Sequence, residues 1–273
     1  MIANKIVWHN IKKYDPNVIT KRLFFIDKNM NGLMPLYGNE KVTLSEYAKT
    51  NKISTYEIVS LRNTVLIQKQ INRSRIMDKQ ANQIKKDFIN LVNNLNKDNT
   101  KFDLKIRHFL KCTRMPFYHV LKLIQHMPDY KRLSNDSIDH IVKISKMIYL
   151  NELDIKKRSE DFEHSLENYI NKNYPNIHFR TEIDIRRDKD YNVTPDILFD
   201  EPIILEVDGK QYTIRWMDAK NYVLVNIPFI MKSLHKQATK YNDIFGMGAF
   251  VFHYGFDTFI KIPNVVILDG SFL

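Results

Sequence analysis

Residues 194–220 read TPDILFDEPIILEVDGKQYTIRWMDAK, and the reading of this stretch decides the fold. Two apolar-rich runs, Ile197 to Val207 and Gln211 to Met217, are separated by Asp208-Gly209. Asp-Gly between apolar runs is the strongest short hairpin signal, because a two-residue type I′ turn needs positive φ at both central positions. With the turn at 208–209, facing residue numbers sum to about 417, so Phe199 is expected opposite Asp218 and Ile197 opposite Lys220. Asp196 then sits one step away. Asp218 and Lys220 are two apart on one strand and point to the same face. An ideal hairpin leaves Asp196 on the opposite face. A bulge or bend is therefore required, and Glu201-Pro202 is the expected place, since proline cannot donate to a strand ladder.

Working outward, Ile230 to Phe245 has helical periodicity with Gly246 as its stop, and Ala249–Tyr254 and Val265–Leu268 read as strands. On the other side, Ser159 to Lys172 reads as a helix capped by Ser159, with an apolar stripe of Phe162, Leu166, Tyr169 and Ile170. Phe179 to Ile185 alternates, which predicts a strand. Helix, strand, hairpin, helix, strand is the order of an α/β sandwich.

The N-terminal half reads as helices. Thr43 to Ile58 has the shape of a helix-turn-helix, with Thr43 or Ser45 capping the first helix, Ser54 the second, and Leu44, Tyr47, Ala48, Ile53, Ile58 and Leu61 as the apolar face. Ile76 to Leu95 is a long amphipathic segment. A further helical pair is expected over Asp103–Gln125, broken at Pro116, and another helix over Ile138–Leu150 capped by Asn135 or Asp136. Lys156-Lys157-Arg158 reads as the linker. The chain is thus expected to divide into a helical domain, 1–157, and an α/β domain, 158–273.

Charge divides the same way. Of 42 Lys/Arg and 31 Asp/Glu, residues 1–158 hold 30 and 14, a balance of +16, while residues 159–273 hold 12 and 17, a balance of −5. A basic half attracts a polyanion over long range. An acidic half repels one unless its carboxylates are gathered for a purpose, such as binding a cation. The one cysteine, Cys112, excludes an internal disulfide framework and a cysteine zinc cluster. No apolar run approaches the roughly 20 residues that span a bilayer, and the N-terminus lacks the apolar core of a signal peptide. A nuclear or cytoplasmic protein is expected, neither membrane-bound nor secreted.

Two carboxylates and an ammonium converging on one hairpin suit phosphodiester hydrolysis. Carboxylates hold Mg²⁺ (or Mn²⁺), hard cations that prefer oxygen. Such a cation polarises the phosphate and acidifies a bound water. A lysine can orient that water or stabilise the charge developing on the phosphate. A competing reading comes from Leu205-Glu-Val-Asp-Gly-Lys210, which also spells D-x-K after Asp196 and resembles the signature of short-patch repair-type endonucleases. Turn chemistry alone accounts for its Asp208-Gly209, whereas it leaves Asp218-Ala-Lys220 unexplained. The nine histidines show no metal-ligand spacing; His235 and His253 read as surface or core polar groups, and Trp216 as packing. Arg186, Arg187 and Lys189 fit a phosphate contact or a solvated charge run equally well.

Pro195-Asp196 followed by Asp218-Ala-Lys220 resembles the PD-(D/E)xK nuclease superfamily. More narrowly, Thr194-Pro-Asp-Ile-Leu-Phe199, Trp216-Met-Asp-Ala-Lys-Asn-Tyr222, Phe245-Gly-Met-Gly248 and Tyr254-Gly-Phe256 resemble the TPD-motif nucleases, the family of the codanin-interacting nuclease. The resemblance covers residues 159–260 and extends loosely to the helical half. It implies a restriction-endonuclease-like core, a central mixed sheet flanked by helices, preceded by an all-α domain with helix-turn-helix character. It implies Asp196, Asp218 and Lys220 as the catalytic triad of a metal-dependent nuclease. It also implies an acidic partner on the preceding helix, best matched by Glu163 as a third metal ligand. The superfamily's recombination nucleases carry a glutamine and a tyrosine on the following helix, matched by Gln237 and Tyr241. The implied partner is nucleic acid, DNA ahead of RNA, with a homodimer or a protein partner also compatible. Two rivals remain open: a catalytically silent nuclease fold that binds nucleic acid or protein, and an RNA-cleaving enzyme.

Overall fold

The computed structural model describes residues 4–30, 38–95, 108–109 and 135–273. The chain forms two compact units, one made of residues 1–22 with 155–273 and the other of residues 23–154. The first is mixed α/β. Its elements are β1 (Lys5–Trp8), β2 (Lys13–Tyr14), the start of α1 (Pro16–Asn29), the end of α4 (Asn135–Asn173), β3 (Phe179–Thr181), α5 (Glu182–Asp188), β4 (Ile197–Val207), β5 (Lys210–Lys220), α6 (Pro228–Phe245), β6 (Gly248–Phe252), β7 (Phe256–Asp257) and β8 (Val265–Asp269).

The β4–β5 hairpin is the centre of the sheet, whose order is β1-β4-β5-β6-β8 with β3 also on β4. Asp208 and Gly209 take φ of 49° and 77°, the left-handed pair that a type I′ turn demands. β5, β6 and β8 run parallel. Helix α6 supplies the connection from β5 to β6, because parallel neighbours need a crossover. β6 is buried along its whole length, as a parallel strand covered on both faces should be. Gly248 pairs with Trp216, and a Cβ at 248 would lie 2.1 Å from the indole ring, so the ring's seat requires glycine. The core beneath joins Phe162, Leu166 and Ile170 of α4 to Ile6 and Trp8 of β1 and to Phe199 and Leu205 of β4.

Several expectations require correction. The strand expected over 179–185 stops at Thr181, because Thr181 and Asp184 form a reciprocal capping box that starts α5. Ser159 is no cap, and the boundary between the units, at 154/155 beside the expected linker, lies within a continuous helix: α4 runs through both, and the Ser159 hydroxyl donates to the Ile155 carbonyl at 3.2 Å. The N-terminal residues do not belong to a purely helical domain. β1 pairs in parallel with β4, Lys5 opposite Ile204 and Trp8 opposite Val207, so the chain's beginning closes one edge of the C-terminal sheet.

The second unit is helical where described. α2 (Gly38–Thr50) and α3 (Thr55–Leu95) are joined by a short turn with Lys52 at φ 52°. Leu44, Ala48, Ile58 and Leu61 are buried, as the expected apolar face requires. The Ser54 hydroxyl accepts from the Tyr56 amide at 3.2 Å, the contact of an N-cap. Thr43 and Ser45 lie inside α2 rather than at its start, and the segment 76–95 continues α3 as one helix of 41 residues. Apart from 108–109, which are helical, the pair expected over Asp103–Gln125, with Pro116, and the lone Cys112 lie outside the described residues. Among the described residues, no helix is long and apolar enough to cross a membrane.

Candidate active site

The hairpin solves the problem of Asp196 by an irregularity in β4. Near the turn, Val207 faces Lys210 and Ile203 faces Ile214, the ideal register; beyond it, Leu198 faces Trp216 and Ile197 faces Met217. Four residues, 199–202, thus stand against the single residue 215, so β4 gains three extra residues around Pro202. An odd number reverses the in–out alternation. Continuing the shifted register puts Asp196, rather than Phe199, opposite Asp218, and facing residues share a side. The expected pairings of Phe199 with Asp218 and Ile197 with Lys220 are thereby replaced, and the expected bend lies around Pro202.

The side chains converge accordingly. The Ala219 amide, between Asp218 and Lys220, donates to Asp196 Oδ2 at 2.6 Å. Lys220 Nζ is in ion-pair contact with Asp218 Oδ1. Gln237 Nε2 donates to Asp218 Oδ2 at 2.8 Å and lies 2.9 Å from the Tyr241 hydroxyl, which donates to the Thr194 carbonyl at 3.0 Å. Gln237 and Tyr241 are one turn apart on α6 and so present one face to the hairpin. Asp218 is buried, 3 % exposed, with both oxygens engaged. Lys220 also stands over the Phe250 ring at 5.2 Å.

Electrostatics mark Asp196. Burial, then the charge of Asp218, push its carboxyl up to about 8, against the pull of Lys220 and the Ala219 amide. Part of its surface stays accessible. Glu163 on α4 is raised as well, by burial, then by Glu182 and Asp218. Glu163 is therefore within electrostatic reach. Among the described residues, however, no three His, Cys, Asp or Glu side chains gather into a ready cation cage. The structure brings together Asp196, Asp218, Lys220 and Gln237, and holds Glu163 at the margin. Glu167, the alternative one turn on, is occupied by His164 at 3.3 Å.

Two contributors have no expectation behind them. Glu182, first residue of α5, accepts from the Thr194 hydroxyl at 3.0 Å and from Arg186 at 2.6 Å. The capping box Thr181-x-x-Asp184 was the available sign that a helix, not a strand, would carry it. Asn221 lies between Ser159 Oγ, 3.4 Å, and His253 Nδ1, 3.0 Å, tying α4 to the strand end beside Lys220. His253 is stacked between Phe162 and Tyr254, and burial, then Lys12, lower its pKa to about 4.

The rival D-x-K is placed elsewhere. Asp208 is at the turn tip, ion-paired with Lys13 at 2.9 Å, and Lys210 begins β5 at the end away from Asp196. Trp216 is fully buried, its indole donating to the Gly246 carbonyl at 2.9 Å. Arg186 and Arg187 are paired with Glu182 and Asp184 on their own helix.

Asp196 and Asp218 form an all-oxygen donor pair, and burial, then the charge of Asp218, hold a proton on Asp196 that a cation would replace. That donor chemistry fits a hard divalent ion.

Comparison with known proteins bears on the same residues. An uncharacterized protein of Acanthamoeba polyphaga mimivirus is 43 % identical over 267 residues, 98 % of this chain and 95 % of that protein. No solved structure matches. The family described as a protein of unknown function with a TPD sequence motif matches residues 131–271 and so takes in every side chain of the site, and the chain belongs to that family.

Proposed function

We propose that the chain is a metal-dependent nuclease of the PD-(D/E)xK type, hydrolysing phosphodiester bonds of DNA. The observation that carries this reading is the odd register shift in β4. It sets two carboxylates opposite each other, with a lysine on the same face, and neither turn formation nor core packing requires that grouping.

Asp196 and Asp218 would hold Mg²⁺ or Mn²⁺, with Glu163 as the third oxygen donor from α4. Bound there, the ion would polarise the phosphate and acidify an attacking water. Lys220, held by Asp218, places its ammonium where negative charge develops on the phosphate. Gln237 fixes the second Asp218 oxygen, and Tyr241 fixes Gln237, so the carboxylate's orientation is set before substrate arrives. The basic N-terminal half, with a balance of +16, would grip the phosphate backbone.

The test is turnover of DNA duplex, branched DNA and structured RNA with Mg²⁺ or Mn²⁺, wild type against Asp218→Ala. Cleavage lost in the variant with binding retained supports the site. Equal cleavage by both proteins removes it, and cleavage of RNA alone changes the substrate.

A further inference from the structure

Beside the catalytic grouping lies a cleft of about 290 Å³, lined by Val193, Thr194, Ser233, Lys236, Gln237, Lys240 and Tyr241. Gln237 and Tyr241 belong to the site already described, so the cleft opens directly beside it. Lys236 and Lys240 have no such assignment. They are one helical turn apart on α6 and exposed. Among the described residues no carboxylate pairs with either. They stand in the acidic half of the chain, where 12 basic residues face 17 acidic ones. Arg180, Arg186, Arg187 and Lys220 of this unit, by contrast, are engaged by carboxylates.

We infer that this cleft is a backbone subsite: Lys236 and Lys240, with Ser233, hold a phosphodiester group of the nucleic-acid strand next to the one being cut. The inference rests on the nuclease reading for its placement and adds to it a strand path along α6. Three features point to a phosphate ligand. Two unpaired ammonium groups at helical spacing make a local positive site beside the carboxylates of the hairpin. The hydroxyl of exposed Ser233 adds a donor suited to phosphate oxygens. Val193 is the sole aliphatic side chain of the lining, and the one aromatic, Tyr241, is buried against Trp216 rather than open to stack on a base, so the cleft reads backbone and its contribution is independent of sequence.

The experiment uses the full chain and a fluorescent 20-nucleotide single strand, as deoxy and ribo versions, in EDTA so that nothing is cut. Lys236→Ala/Lys240→Ala should weaken binding to at least one of the two strands about tenfold, and lower the slope of log affinity against log salt by about 0.7, the value for one phosphate of a single strand. Lys261→Ala, on an exposed residue away from the cleft, should change neither. As a second readout, the oligonucleotide should protect Lys236 and Lys240 from acetylation, read by mass spectrometry, while Lys261 stays reactive. An unchanged slope in the double variant, together with undiminished acetylation of both lysines, overturns the subsite. Because binding is read without metal, absence of cleavage by the wild type in Mg²⁺ would remove the nuclease reading alone.

Discussion

Asp196 is the residue at which charge, burial and geometry meet. Its carboxyl holds a proton up to about 8 because protein surrounds it and, next, because Asp218 stands opposite. On the proposed function, a divalent ion bound there would displace that proton, so binding and deprotonation would be linked. Mg²⁺ or Mn²⁺ affinity should therefore rise with pH, by up to about tenfold per unit between pH 6 and 8 and level off above. Calorimetry in buffers of different ionisation enthalpy should show about one proton released per ion at pH 6.5. Asp196→Asn should abolish the proton release; a pH-independent affinity in the wild type would remove the linkage. His253 supplies the opposite case. Its imidazole titrates at about 4 in the folded chain against an ordinary 6.5, because burial disfavours its charged form. Between those values the unfolded state binds more protons, so stability is lost as pH falls through that window. His253 is only partly buried, so the loss is discounted to about 2 kcal/mol at pH 4. Urea melts at pH 7 and pH 4.5 should show His253→Phe losing less than wild type.

At the scale of elements, the bulge in β4 decides whether a site exists. Three extra residues bring Asp196 to the side of Asp218; two would send it to the other side. Deleting Glu201, whose side chain is largely exposed, removes one residue and leaves an even number. That deletion should eliminate Mn²⁺ binding and cleavage while thermal unfolding stays cooperative. A deletion variant that still binds Mn²⁺ as wild type does would show that the parity of the bulge is irrelevant. The same hairpin shows what a sequence makes legible. Asp208-Gly209 is local chemistry, and its turn and the register beside it follow from those two residues. The need for a bend follows from strand alternation, and Pro202 points to its place. Its size does not, because four residues against one is not written in any local turn chemistry or strand periodicity. Glu182 was hidden for a related reason: Phe179 to Ile185 alternates like a strand, and only the capping contact of Thr181 with Asp184 reverses that reading. Gly248 is a further element-level constraint. Gly248→Ala should destabilise by about 1–3 kcal/mol in chemical denaturation, because its Cβ would strike the Trp216 ring, which is locked to the Gly246 carbonyl.

Across the whole molecule, the unit that carries the site is built from both ends of the chain. This was the part least visible in sequence. Lys5 to Trp8 is a four-residue strand in a basic, unremarkable stretch, and its partner lies about 200 residues away, a pairing that no local periodicity encodes. The contacts that fix it are specific. The Trp8 indole donates to the Asp269 carbonyl at 2.9 Å, and the Asp269 carboxylate accepts from the amides of Ile11 at 3.0 Å and Lys12 at 2.8 Å. Trp8 is fully buried against Tyr169 and Phe272, so truncating it removes a large apolar group from the core of this unit. Trp8→Ala should cost about 3–5 kcal/mol. The chain has two tryptophans, so the variant leaves Trp216 alone to report. Trp216 lies in β5, two residues before Asp218, and its emission follows unfolding around the site itself. In guanidinium, the Trp216 transition should move to lower denaturant in Trp8→Ala and be largely restored in Trp8→Phe. Were residues 1–157 a separate domain, the Trp216 transition would stay where the wild-type chain unfolds.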